Sequence, residues 1–259
     1  MRVYIFGRKQ VYMVGCIFLI LVCTVITILI LGPIIASGAN RKLPVYSVRT
    51  ENKVIALTFD AAWGNSDTEI LVSTLKKYNA KATFFVTGEW VDKYPDDVKR
   101  LYDAGHIIAN HSDRHPHINK LSSSELYDDI VSCNKKIEKV IGKTPTLYRG
   151  PYGEYNDTLL TTLEGMSMKC IQWNLDSRDW QKKSVDHMVT SICKNAKPGS
   201  IVLFHNDVPN TPPALDQILS KLSAEGYSFV SVDDILIKGN YYIDNNGVMI
   251  KTNGADSAS

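Results

Sequence analysis

The 259-residue sequence has little cysteine, and what it has is not arranged for chemistry. Of five cysteines, Cys16 and Cys23 lie in an apolar N-terminal run, leaving Cys133, Cys170 and Cys193 for the rest of the chain. Three is an odd number with no CxxC spacing, so neither a disulfide framework nor a thiolate metal site can be read from them. They are expected to be small buried hydrophobes. Charge of one sign is also missing. There are 29 basic and 27 acidic residues, with no basic stripe, which excludes nucleic acid as the expected partner. No repeat or low-complexity tract is present, and a hydrophobic content of 44% argues against wholesale disorder.

What is present begins with the N-terminus. Arg2, Arg8 and Lys9 precede an uncharged apolar stretch over residues 11–36. A membrane-spanning helix needs about 20 apolar residues, whereas the core of a cleavable signal peptide has about 7–15. The expectation is a single-pass signal anchor with residues 1–10 in the cytoplasm and everything beyond it outside the cell membrane. Small residues at Ala36-Ser37-Gly38-Ala39 leave cleavage open as an alternative. Residues 37–50 read as a polar stalk, 51–238 as the globular domain and 239–259 as a C-terminal extension.

From Val54 onward, short apolar runs alternate with amphipathic segments. VIALTF, ATFFV, HIIAN, TLYR, CIQWNL, SIVLFH and SFVSV read as strands. Ser66 with Glu69 and Ser122 with Glu125 have capping-box spacing ahead of two helices, Pro95 suits the first turn of another, and Gly105 and Gly142 are stops. Further helical stretches fall near 157–163, 185–196 and 213–224. The alternation argues for an α/β fold with mostly parallel strands. In the tail, Asn245-Asn246-Gly247 marks a hairpin turn.

The polar residues that could do chemistry sit at or just past the C-terminal ends of these strands: Asp60, His111, Arg149, Asp176 and His205. In parallel α/β folds those ends share one face, where ligands bind. His111 and His115, in HSDRH, are four residues apart and can reach one metal from a helical turn or from a loop. His117 is read as solvent-exposed or standing behind that pair. Asp60 is a cap, a buried structural partner or a base, and Arg149 is its natural counter-ion. RGPYG (149–153) is either an ordinary loop or a turn that aims a backbone N–H at an oxyanion. In DSRDW (176–180), Trp180 is either core or an aromatic wall for a sugar. His205 suits proton delivery near neutral pH, with Asp179 favouring its charged form. Together these parts imply metal-assisted hydrolysis of an amide or ester.

TFDAAWG, HSDRH, RGPYG, DSRDW and LFH, in this order, resemble the polysaccharide deacetylase family that shares the NodB homology domain. TFDAAWGN most resembles its sporulation-associated branch. The resemblance spans about 54–236 and implies a distorted (β/α) barrel. It implies Asp60 as catalytic base, His111 and His115 as metal ligands, Arg149 as the brace of the base and Tyr152 as oxyanion donor. It also implies Asp179 as the carboxylate tuning the acid, His205 as the acid, and Trp180, Leu203 and Pro151 as substrate-binding positions. The metal is expected to be divalent, Zn2+ above all. The family's first motif carries two adjacent carboxylates, the second a metal ligand. Here that position is Ala61, and waters, Asp60, Asn65 or Asp113 are the candidates to complete the shell.

The expected activity is therefore removal of N-acetyl groups from peptidoglycan or a related amino-sugar polymer outside the membrane. Two alternatives stand beside it: a glycan-binding protein on the same fold, suggested by Ala61, and an O-acetyl esterase acting on a polysaccharide.

Overall fold

The computed structural model describes residues 7–9, 12–13, 17–26 and 42–252. Residues 17–26 are helical, and no helix among the described residues is long and apolar enough to cross a membrane. Most of the expected anchor at 11–36 lies outside the described residues, as do the alternative cleavage site and residues 253–259.

The compact unit begins at Leu43. Its strands are β1 (Ser47–Val48), β2 (Val54–Ala61), β3 (Ala82–Val86), β4 (Ile107–Asn110), β5 (Leu147–Tyr148) and β6 (Lys169–Cys170). They continue with β7 (Leu175–Asp176), β8 (Ile201–His205), β9 (Ser228–Val230), β10 (Tyr241–Ile243) and β11 (Val248–Lys251). The main sheet runs β6-β5-β4-β3-β2-β8-β7, with β9 also paired to β2, and every pairing is parallel. The parallel strands are those expected from the strand–helix alternation, and the distorted, incomplete α/β barrel is the one that the family resemblance implies.

Strand β2 shows how the sequence divides its two faces. Side chains alternate across a strand. Ile55, Leu57, Phe59 and Ala61 join the cluster that packs under the helices, including Leu71, Leu75, Leu215 and Leu219. Phe59 is stacked between Phe84 and Phe204, with ring centroids 4.8 and 5.4 Å away. The opposite face carries Ala56, Thr58 and Asp60. Ala56 joins Phe85, Ala109, Leu147, Ile171 and Ile201 in a second cluster, and Thr58 and Asp60 meet Arg149. The strand runs two residues beyond the expected VIALTF, which places Asp60 inside it with its register fixed against His205 of β8.

The helix Ser123–Ile141 begins with a complete capping box at Ser122 and Glu125 and ends at Gly142 in the left-handed conformation. The expected Ser66–Glu69 box does not form. Its helix begins at Thr68 after Asp67, which makes no side-chain cap, and the Ser66 hydroxyl donates instead to Asp207 at 2.6 Å. The short helix Gly88–Lys93, capped by Thr87, carried no clear signal in the sequence. The run CIQWNL is not one strand but breaks between β6 and β7. The carbonyls of Ile171 and Gln172 accept from the Arg149 guanidinium, and Gln172 N–H donates to Val45 rather than to a continuing ladder.

The stalk and extension are corrected most. Val45 and Val48 are buried, and β1 pairs with β11, which forms the expected hairpin with β10 around Asn245-Asn246-Gly247. Residues 43–50 and 239–252 thus belong to the compact unit. Packing explains it: Val45, Val48 and Met249 fill the second cluster alongside Ile171 and Ile201. The chain passes close against Gly199, which has φ +84, and a Cβ there would lie 1.7 Å from the Val48 carbonyl oxygen. Gly199→Ala is therefore expected to lower stability by about 2 kcal/mol or more, combining backbone strain with a displaced β1. A denaturant titration checks this, and a midpoint unchanged from the wild type would contradict it.

Candidate active site

The C-terminal ends of β2, β4, β5, β7 and β8 open onto a cavity of about 620 Å³. Asp60, His111, His115, Tyr152, Trp180, Leu203 and His205 all line it. Seven of the ten residues proposed from the sequence are thus cavity-lining. Arg149 and Asp179 lie behind them, fully buried, and Pro151 is buried without lining the cavity.

Arg149 makes the deepest polar contacts. Its guanidinium donates to Asp60 Oδ1 at 2.7 Å, Thr58 Oγ1 at 2.9 Å, the Ile171 carbonyl at 3.2 Å and the Gln172 carbonyl at 3.0 Å. It also stacks 4.1 Å from the Phe85 ring centroid. Burial pushes the Asp60 carboxyl up, but Arg149, His111 and His205 together outweigh burial and hold it below the usual carboxylate range. Asp60 is therefore ionised at neutral pH, with Oδ1 held by Arg149 and Oδ2 3.6 Å from His111 Nε2.

His111 and His115 stand on a loop. Ser112 and His115 both have positive φ, at 72° and 57°, a conformation costing on the order of 1 kcal/mol or more for a side-chain-bearing residue. Asn110 holds the loop, its Oδ1 accepting from Ser112 N–H at 2.7 Å and its Nδ2 donating to Asn134. His111 Nδ1 lies 2.8 Å from the Arg149 carbonyl. That contact assigns the proton to Nδ1 and leaves the Nε2 lone pair facing Asp60. Burial pushes His111 below the ordinary histidine value, with Asp60 opposing. His115 is pushed down to about 4 by burial and by His111. The two rings are 5.0 Å apart, centroid to centroid.

Two neutral imidazoles with available lone pairs are the donor type a zinc-class cation takes, so the residues fit in chemistry. In number they fall short of the usual three protein ligands, and no group of three or more His, Cys, Asp or Glu among the described residues is arranged to hold a metal. Ala61 is wholly buried in the apolar cluster under the helices. Two of the candidates to complete a shell are removed. Asn65 donates to Asp97 at 2.6 Å, and Asp113 pairs with Lys136 at 2.8 Å. Asp60 Oδ2 is the carboxylate oxygen at hand.

Across the cavity stands His205. Its Nδ1 lies 2.7 Å from Asp179 Oδ1, and its backbone N–H donates to Asp179 Oδ2. Thr211 Oγ1 and Trp180 N–H also donate to that carboxylate. Burial lowers the His205 pKa, but the Asp179 hydrogen bond and charge, with Asp60 and Asp176, reverse this and raise it above 6.5. The two ends of the cavity are thus biased oppositely, toward ionised Asp60 and protonated His205.

The walls are aromatic. Trp180 is 55% exposed, which removes the core-packing alternative, and Tyr152 is 61% exposed with φ +59°. Tyr152 packs edge-on against His115 and stacks on exposed His117, which pairs with Glu154 at 2.7 Å rather than joining His111 and His115. Sequence reasoning missed Trp63, Trp173 and Val208. Trp63 is 54% exposed, with its ring 5.8 Å from that of His205. It lies within the TFDAAWG motif itself, so an exposed Trp three residues past Asp60 was the available signal. Trp173 and Val208 sit in loops without periodicity.

Residues 47–171 match the polysaccharide deacetylase family. Over 208 residues the chain is 36% identical to the peptidoglycan-N-acetylglucosamine deacetylase PgdA of Listeria monocytogenes, a match covering 78% of this chain and 44% of that protein. The chain therefore spans less than half of that relative's length. It is 34% identical over 201 residues to the peptidoglycan-N-acetylmuramic acid deacetylase PdaA of Bacillus subtilis, covering 74% of this chain and 75% of that one. Among solved structures, a Bacillus anthracis protein described as a CE4 family pseudoenzyme superposes with a TM-score of 0.72 at 30% identity, covering 76% of this chain and 70% of that one.

The His205–Asp179 pair makes a direct prediction. A histidine with a raised native pKa stabilises the fold fully below its unfolded pKa and loses that contribution as pH rises through the native value. In an NMR titration His205 should therefore stay protonated beyond pH 6.5, and Asp179→Asn should bring its midpoint down. A midpoint at or below 6.5 in the wild type would contradict the assignment.

Proposed function

Because the chain belongs to the polysaccharide deacetylase family, we propose that it hydrolyses the acetamido group of an amino sugar in peptidoglycan or a related polymer, outside the membrane. The observation that carries this reading is the opposed pair across one cavity: a carboxylate held ionised by Arg149 and an imidazole held protonated by Asp179. Paired groups whose environments push their protonation states apart are the mark of an acid–base pair.

The residues divide the work as follows. Asp60 Oδ2 accepts a proton from the water that attacks the acetyl carbonyl, while Arg149 fixes the carboxylate through Oδ1. The backbone N–H of Tyr152, on its left-handed turn, donates to the developing oxyanion. His205, with Nδ1 bonded to Asp179, delivers its Nε2 proton to the departing nitrogen. The C–N bond breaks to give acetate and a free amine. Leu203 and Trp180 bound the space for the acetyl group and sugar, and buried Pro151 shapes the turn that carries Tyr152. A divalent cation, zinc by the preference of paired imidazoles, would be held by His111 and His115 and would supply positive charge that polarises the carbonyl.

The location rests on Arg2, Arg8 and Lys9 ahead of the apolar run at 11–36. The TFDAAWGN motif supports a sporulation role. Two observations favour a second reading. Ala61 offers no oxygen, and a structural relative is a pseudoenzyme, which fits a glycan-binding protein on the same fold.

Acetate release by the full chain from N-acetylated and O-acetylated oligosaccharides tests the readings together. The proposal expects release from the N-acetylated substrate, reduced at least ~100-fold in His205→Ala, the scale of a lost general acid. Saturable binding of glycan with no acetate from either substrate would establish the second reading instead.

A further inference from the structure

A second cleft, of about 550 Å³, adjoins the catalytic cavity, and Asp176 lines both. Its walls differ in kind from those of the first. Where the catalytic cavity is bounded by three tryptophans and a tyrosine, this cleft carries Arg178, Lys197, His187, Asn174 and Asn195. Two cations share this cleft with one carboxylate, that of Asp176. That carboxylate is already engaged, because its Oδ1 accepts from the Arg178 backbone N–H at 2.8 Å. The same bond fixes the tight turn at Arg178, whose φ is +54°. Among the described residues, neither the Arg178 guanidinium nor the Lys197 ammonium is drawn into an ion pair. The cleft therefore offers unneutralised cationic donors one wall away from the acid–base pair, while its asparagine amides already donate to the Ser200 hydroxyl and the Ser191 carbonyl.

We infer that this cleft is a subsite for a carboxylate carried by the polymer, on or next to the sugar that is deacetylated, with Arg178 and Lys197 as its anchors. The inference rests on the deacetylase reading and deepens it. A guanidinium fork suits a planar carboxylate, and charge-assisted hydrogen bonds are the strong ones. Muramic acid bears such a carboxylate on its lactyl ether wherever no peptide is linked to it, whereas N-acetylglucosamine polymers are neutral at every sugar. The two relatives act, by their descriptions, on different sugars of peptidoglycan, N-acetylglucosamine for PgdA and N-acetylmuramic acid for PdaA. A carboxylate seat beside the catalytic cavity is a physical means of telling such sugars apart. Arg178 and Lys197 are exposed, so they can be replaced without opening the core.

The test compares the full chain with an Arg178→Gln/Lys197→Gln variant. Calorimetry measures binding of two probes, a disaccharide containing N-acetylmuramic acid and neutral diacetylchitobiose, and acetate release is followed on both in parallel. The expected result is wild-type preference for the acidic disaccharide by about tenfold or more, weakened by added salt and abolished in the variant, with chitobiose binding unchanged. Equal binding of the two probes by the wild type, no detectable binding, or an unaltered preference in the variant would each overturn the subsite. The deacetylase reading survives any of those outcomes if acetate is released from either probe. If no acetate appears from either while the variant still loses the preference, the subsite stands and the deacetylase reading fails.

Discussion

The buried ion pair between Arg149 and Asp60 is the constraint on which the rest of the structure depends. An unpaired charge at either position would be costly, since removing one partner of a buried pair typically costs about 3–5 kcal/mol. The fold is arranged so that neither is unpaired. Asp60 comes from β2, at the centre of the sheet, and Arg149 from just past β5, three strands away in the sheet order. The guanidinium's remaining donors are spent on Thr58 and on the carbonyls of Ile171 and Gln172, so one side chain joins β2, β5 and the break between β6 and β7. The Arg149 carbonyl in turn orients His111. Charge, strand interruption and imidazole tautomer thus follow from a single buried residue.

Much of this was legible in the sequence because parallel α/β architecture makes strand ends informative. Asp60, His111, Arg149 and His205 each follow an apolar run, and the structure brings them to one place. Continuous hydrophobic strands, the Ser122 capping box and the Asn-Gly turn were visible for the same reason, since each has a local physical signature. What was not legible depended on partners distant in sequence. Ser66 has the spacing of a cap, but Asp207, 141 residues on, takes its hydroxyl. CIQWNL has the composition of one strand, but Arg149 and Val45 claim its backbone. Residues 43–50 look polar enough for a stalk, yet Val45 and Val48 find a hydrophobic cluster that only the fold assembles. Trp63 and Trp173 lie in loops, where no periodicity exists to read.

Ala61 is the point at which the sequence pattern and the structure meet most directly. Its place in β2 turns it toward the apolar cluster, away from Asp60, so the histidine pair keeps its orientation without it. His111 and His115 are both pushed toward the neutral, ligating form by burial, and the strained loop that carries them is pinned by Asn110. Strain of this kind persists where the surrounding structure enforces it, and it clusters at functional sites. The proposed acid–base pair is likewise whole, with four donors converging on the Asp179 carboxylate.

The central proposal is that His111 and His115 form a metal seat that tolerates alanine at position 61. Calorimetric titration of zinc into the metal-stripped full chain, beside His115→Ala, tests it without reference to substrate. The account predicts binding at one site in the wild type, lost in the variant. Absence of binding in the wild type, or equal binding in His115→Ala, would contradict it.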